Sequence, residues 1–168
     1  MNGRATRFIA RVSNPQPGWA GFSRNAMPHD RRQARILAMQ ALCQWDVQHD
    51  ESPENLREFL AAHAEVAGNI TYAAELVESY WTRRKGIDRR IAEAATQWDL
   101  ARISRVERNA MRVAVVEMMS ERIPPKVALH EAMQIGDQFG GAESSRFING
   151  VLDAILHQLR PEAKDHTG

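Results

Sequence analysis

Residues 104–119 read SRVERNAMRVAVVEMM, and this stretch decides the fold class. Ser104 and Glu107 are spaced as a capping box, in which the serine and glutamate side chains each accept a backbone N–H that the first turn of a helix leaves unpaired. The run behind them stays apolar through Met118 and Met119. A helix that apolar must be covered by others. Toward the C-terminus, Pro124-Pro125 opens the next helix and Gly140-Gly141 closes it. The last starts near Ser144 and places Phe147, Ile148, Val151, Leu152, Ile155, Leu156 and Leu159 at helical spacing.

Toward the N-terminus the helical period persists. Ile87 to Ala95 forms one helix, and Gly86 is expected to separate it from another over Thr71–Lys85, with Tyr72, Leu76, Tyr80 and Trp81 facing inward. Ser52-Pro53-Glu54 supplies a cap, a proline at the first helical position and an acid in the first turn. Leu56, Phe59, Leu60 and Ala64 are that helix's stripe, and Gly68 ends it. The first helix carries Ala34, Leu37, Ala38, Ala41, Leu42 and Trp45, with Asp30 as its expected cap. This reading gives about seven helices and no strand, an all-α fold.

The 168 residues suit one domain, and 43% hydrophobic with 26% charged residues is an ordinary globular balance. No stretch approaches the roughly 20 apolar residues of a membrane span, and the N-terminus has no continuous apolar signal region. The single cysteine, Cys43, cannot form an internal disulfide. A cytoplasmic protein is expected. Residues 13–30, SNPQPGWAGFSRNAMPHD, show no period. Residues 1–29 are therefore read as a flexible extension, 30–160 as the folded domain and 161–168 as a polar tail. Translation from Met27 would begin MPHDRRQAR and remove most of the extension.

Net charge is only +1, but residues 1–35 hold seven of the 22 basic residues and one of the 21 acidic ones. Such asymmetry suggests a nucleic-acid contact or a solvated basic arm. Arg31 and Arg35 share a helix face, and with Arg32 they stand where the helix dipole disfavours cations by roughly 0.3–1 kcal/mol each. Phosphate oxygens would explain them, since guanidinium groups bind phosphate bidentately. Charge alone does not separate this from a solvated turn balanced by Asp30.

Residues 139–150, FGGAESSRFING, are the second candidate. Helix starts bind anions, and Phe147 could stack on an unpaired base or simply continue the apolar stripe. Ser144 could be only a cap. Asn149 and Gly150 are poor choices inside an apolar helix. No catalytic constellation is present. His130-Glu131 is followed by Gln134 where a zinc-binding helix needs histidine, and the six histidines lack ligand spacing. The glutamates, Glu117 and Glu107 included, are read as solvated or capping, and the four tryptophans as core. No cofactor or metal is expected.

Three segments together resemble the NusB family: RRQARILAMQALCQWDV (31–47), RVERNAMRVAVVEM (105–118) and PPKVALHEAMQIGDQFGGAESSRFINGVLD (124–153). The most specific piece is FINGVLD, similar to the family's F-V-N-G-V-L-D. The resemblance implies two packed helical bundles and a non-catalytic transcription antitermination factor. It implies pairing with NusE, a small-subunit ribosomal protein. It also implies binding to single-stranded boxA RNA and entry into the RNA polymerase antitermination complex on ribosomal RNA operons. By position it implies RNA contacts at Arg31, Arg32, Arg35, Ser144, Arg146 and Phe147, with Glu143 at the border and Glu107 near the NusE-facing surface. Cys43 departs from a frequent aromatic and His130 from a frequent asparagine. Two alternatives stay open: a protein-only adaptor or homodimer that binds RNA weakly, and a detached front domain of an rRNA methyltransferase. The second would need an α/β domain after Gly168.

Overall fold

The computed structural model describes residues 28–49, 52–63 and 70–160, with side chains from Arg31 onward. The expected extension and polar tail lie outside the described residues, apart from the start of the first helix. Among these residues six α-helices and one 3-10 turn follow in order: α1 Pro28–Gln48, α2 Glu54–Ala62, α3 Ile70–Ala94, the turn Leu100–Arg102, α4 Arg105–Met119, α5 Pro125–Phe139 and α6 Ser144–Leu159. No strand occurs among the described residues. The chain divides into two compact helical units, the first ending at Thr82 and the second beginning at Arg83.

In the first unit α1 packs on α2. The stripe read from the sequence is the buried one: Ala34, Leu37, Ala38, Ala41 and Leu42 on α1, Leu56 and Leu60 on α2, and Tyr72, Leu76 and Tyr80 on α3. Trp45 is half-buried and meets Tyr80 and Trp81 edge to face, at ring separations of 6.0 and 5.6 Å. Arg57 on α2 bonds Glu78 on α3 at 2.8 Å. Ser52 accepts the Glu54 N–H at 3.2 Å, but α2 begins at Glu54 with Pro53 in the N-cap position, so the proline stands just before the helix and not at its first position. Asp30 is not the cap of α1: the helix already begins at Pro28, where the missing proline N–H costs nothing. α2 stops at Ala62, and Ala64 and Gly68 lie outside the described residues.

The expected break at Gly86 does not occur, because α3 runs through it. A glycine costs a helix interior about 1 kcal/mol. Buried positions recur at helical spacing on both sides of it, at Val77, Tyr80, Ile87 and Ile91, and that burial outweighs the cost.

In the second unit α4, α5 and α6 pack pairwise. Every residue of α4 from Asn109 to Met118 is buried, as expected of a helix that is apolar on all sides. Three of these residues are polar or charged. Arg112 grips Asp88 of α3 with two bonds, Nε to Oδ1 at 2.8 Å and Nη2 to Oδ2 at 2.7 Å. Its Nη1 donates to Asn109 Oδ1 at 2.9 Å, and Asn109 Nδ2 donates to the Arg105 carbonyl at 2.9 Å. Glu117 is buried rather than solvated, because it falls within this enclosed run.

Two substitutions in α3 should move stability in opposite directions. Gly86 is exposed, and a Cβ built on it meets nothing within 4 Å. Gly86→Ala should therefore stabilise by about 0.5–1 kcal/mol. Asp88→Ala leaves the buried Arg112 guanidinium without its carboxylate and should cost about 3–5 kcal/mol. Urea denaturation of both variants checks the pair.

Candidate nucleic-acid interface

The predicted residues fall into two sets. Arg31, Arg32 and Arg35 lie on α1 in the first unit, whereas Glu107, Ser144, Arg146 and Phe147 come together in the second. On α1 the three arginines differ. Arg31 and Arg32 are half-buried, while Arg35 is only 4% exposed, its guanidinium carbon 5.9 Å from the centre of the Tyr72 ring. Arg35 thus belongs to the packed side of α1, where a cation over an aromatic face is favourable.

The second set is built around one carboxylate. Ser104 caps α4 by accepting the Glu107 N–H at 3.2 Å, and Glu107 Oε2 returns the bond by accepting the Ser104 N–H at 3.3 Å. The other oxygen, Oε1, accepts a 2.6 Å bond from the Ser144 hydroxyl at the start of α6. Ser144 Oγ in turn accepts the Gly141 N–H at 2.8 Å. Ser144 is 2% exposed, so its hydroxyl faces the protein and fixes the loop entering α6. The loop needs glycine at 140: a Cβ there would lie 2.6 Å from Ser144 Cβ and 2.7 Å from the Gly136 carbonyl oxygen.

That loop delivers two side chains outward. Arg146 is 89% exposed and 4.0 Å from Glu143, itself exposed. An ion pair this open is screened and worth little. Phe147 is half-buried and meets Trp98 edge to face, at 6.0 Å between ring centres and 73° between planes. Trp98 is 54% exposed, which corrects its assignment to the core. Trp19 lies outside the described residues, and Trp45 and Trp81 are half-buried. Trp98 escaped the sequence reading because it precedes a 3-10 turn rather than sitting on a helix stripe, so no period marks its direction.

The turn holding Trp98 is well braced. The Trp98 N–H donates to the Ala95 carbonyl at 2.8 Å. Asp99 Oδ1 accepts the Ala101 N–H at 3.1 Å, and Arg108 Nη1 donates to the Leu100 carbonyl at 3.0 Å. Ile103 anchors the end of the segment in the core. Among the described residues no group of three His, Cys, Asp or Glu side chains could hold a metal, and no helix is long and apolar enough to cross a membrane.

An all-helical protein with basic and aromatic side chains at helix starts has clear structural counterparts. A structure of T. maritima NusB is 31% identical with a TM-score of 0.68, covering 76% of this chain and 91% of that one. NusB in a crystal structure of the antitermination factors NusB and NusE with dsRNA is 26% identical with a TM-score of 0.68, covering 79% and 99%. The NusB family model matches residues 32–157. A transcription antitermination protein NusB of Nitratidesulfovibrio vulgaris is 40% identical over 136 residues, 77% of this chain and 89% of that protein. Its counterpart from an Anaeromyxobacter species is 36% identical over 135 residues, 80% and 94%. The chain belongs to the NusB family, whose members are transcription factors rather than enzymes.

The Ser144 hydroxyl should be worth more to stability than any exposed side chain beside it. Ser144→Ala removes a hydrogen bond to a carboxylate and should cost about 1.5–3 kcal/mol. Arg146→Ala should stay within about 0.5 kcal/mol of the parent. Chemical denaturation of the two variants side by side tests this.

Proposed function

We propose that this chain is a transcription antitermination factor that binds single-stranded boxA-type RNA together with NusE. It would act in the cytoplasm within the RNA polymerase antitermination complex and support transcription of ribosomal RNA operons. The observation that carries the reading is its likeness, across nearly the whole of that chain, to the NusB crystallised with NusE and double-stranded RNA; the preference for a single strand is the part that the experiment below tests.

The side chains divide the work by exposure. Arg31, Arg32 and Arg146 reach toward phosphates, giving affinity that falls with salt. Phe147 supplies aromatic surface at the start of α6. Arg35 and Ser144, both buried, act from beneath, each within its own unit: Arg35 holds α1 and Ser144 holds the α6 loop in place. Glu107 faces NusE with capacity to spare: a carboxylate offers about four lone-pair sites, and the bonds from Ser104 and Ser144 take up one on each oxygen. Asn149 and Gly150 add support. Both are exposed on α6, and a Cβ at Gly150 would meet nothing within 4 Å, so packing does not demand glycine there.

Fluorescence anisotropy with a boxA-like RNA oligonucleotide, with and without the organism's NusE, tests the proposal. Arg31→Ala combined with Arg32→Ala should weaken binding and flatten its salt dependence by roughly 0.7 in slope for each phosphate no longer neutralised. Unchanged affinity and slope would defeat it. Arg35→Ala should instead lower the melting temperature, because its guanidinium is packed against Tyr72.

A further inference from the structure

We propose that Trp98 is the base-stacking surface of this protein and that Phe147 is its brace. An unpaired nucleobase would lie on the open side of the indole, with its flanking phosphates toward Arg102 and Arg146. This rests on the reading of the chain as a binder of single-stranded RNA.

Three observations point the same way. First, Trp98 is 54% exposed yet held in place, by its ring contact with Phe147 and by the hydrogen bonds that brace residues 95–102. Leaving an indole half in water forgoes apolar burial. Holding it still removes the entropy cost of ordering it when a ligand arrives. Second, Phe147 meets the indole edge to face at 73° rather than stacked flat on it, and with more than half of Trp98 in solvent there is room for a planar ligand to stack. Third, the charges suit a nucleotide. Arg102, at the end of the Trp98 turn, and Arg146, beside Phe147, are both exposed. Two acids lie nearby: Asp99 Oδ1 accepts the Ala101 N–H, and Glu143 stands 4.0 Å from Arg146 in an exposed pair that water screens and an incoming phosphate can replace. Aromatic rings flanked by arginines accept any base, because every base has a π-face, while the arginines track the backbone.

The test uses the full chain with NusE, and a boxA-like RNA offered both as a single strand and as a duplex with its complement. Trp98→Ala should weaken single-strand binding by about 5- to 140-fold and leave duplex binding unchanged. Trp98→Phe should restore most of the affinity. Trp98→Leu keeps apolar bulk against Phe147 but has no π-face, and should bind as weakly as the alanine variant. Full affinity in the leucine variant, or an equal drop on single strand and duplex, overturns the stacking role. A loss of NusE binding with RNA affinity intact would make Trp98 a protein contact and also overturns it. If the parent protein with NusE does not bind the single strand at all, it is the RNA-binding reading that fails, and the two failures are told apart.

Discussion

Glu107 divides its carboxylate between two helix starts, and the second unit's outward-facing side chains depend on that division. One oxygen closes the capping box with Ser104, and the other receives the Ser144 hydroxyl. The first bond stabilises α4 locally. The second is tertiary, joining positions 37 residues apart. It orients the first turn of α6, and with it the directions of Arg146 and Phe147. Glycine at 140 is the steric condition for the arrangement, since a side chain there would occupy the place of Ser144.

Beneath this sits a helix that could not fold alone. α4 is buried along ten consecutive residues, Asn109 to Met118, and its polar members must find partners inside the protein. Arg112 does so through Asp88 and Asn109. An arginine 5% exposed against an aspartate 25% exposed is a pair whose desolvation nearly offsets its attraction. Its value lies in geometry more than energy: two parallel bonds fix α4 against the second half of α3 in one register. The apolar core alone would be less selective.

The arginines show how one residue type divides by burial. On α1 the three basic side chains are close in sequence, yet Arg35 packs over Tyr72 while Arg31 and Arg32 stay nearer the surface. In the second unit Arg112 is a strut, Arg108 pins a loop carbonyl and Arg146 is open to water. A count of positive charges therefore overstates what is available to a phosphate. In the second unit exposed cations stand beside aromatic rings, which is the combination a single-stranded nucleic acid requires.

The sequence by itself determined the all-helical class, most of the buried stripes and the Ser104 cap of α4. Periodicity, Ser104 with Glu107, Pro124-Pro125 and Gly140-Gly141 act over a few residues and need no distant partner. It misread Gly86, because a local penalty of about 1 kcal/mol cannot be weighed without the burial that opposes it. The family pattern, with FINGVLD at its centre, pointed to the α6 start. Only the tertiary structure decided that Arg35 and Ser144 face inward, that Glu117 is enclosed and that Trp98 stands in solvent against Phe147. The physical reason is that a side chain's exposure is a property of what packs against it. For Trp98 and Ser144 those neighbours are dozens of residues away along the chain.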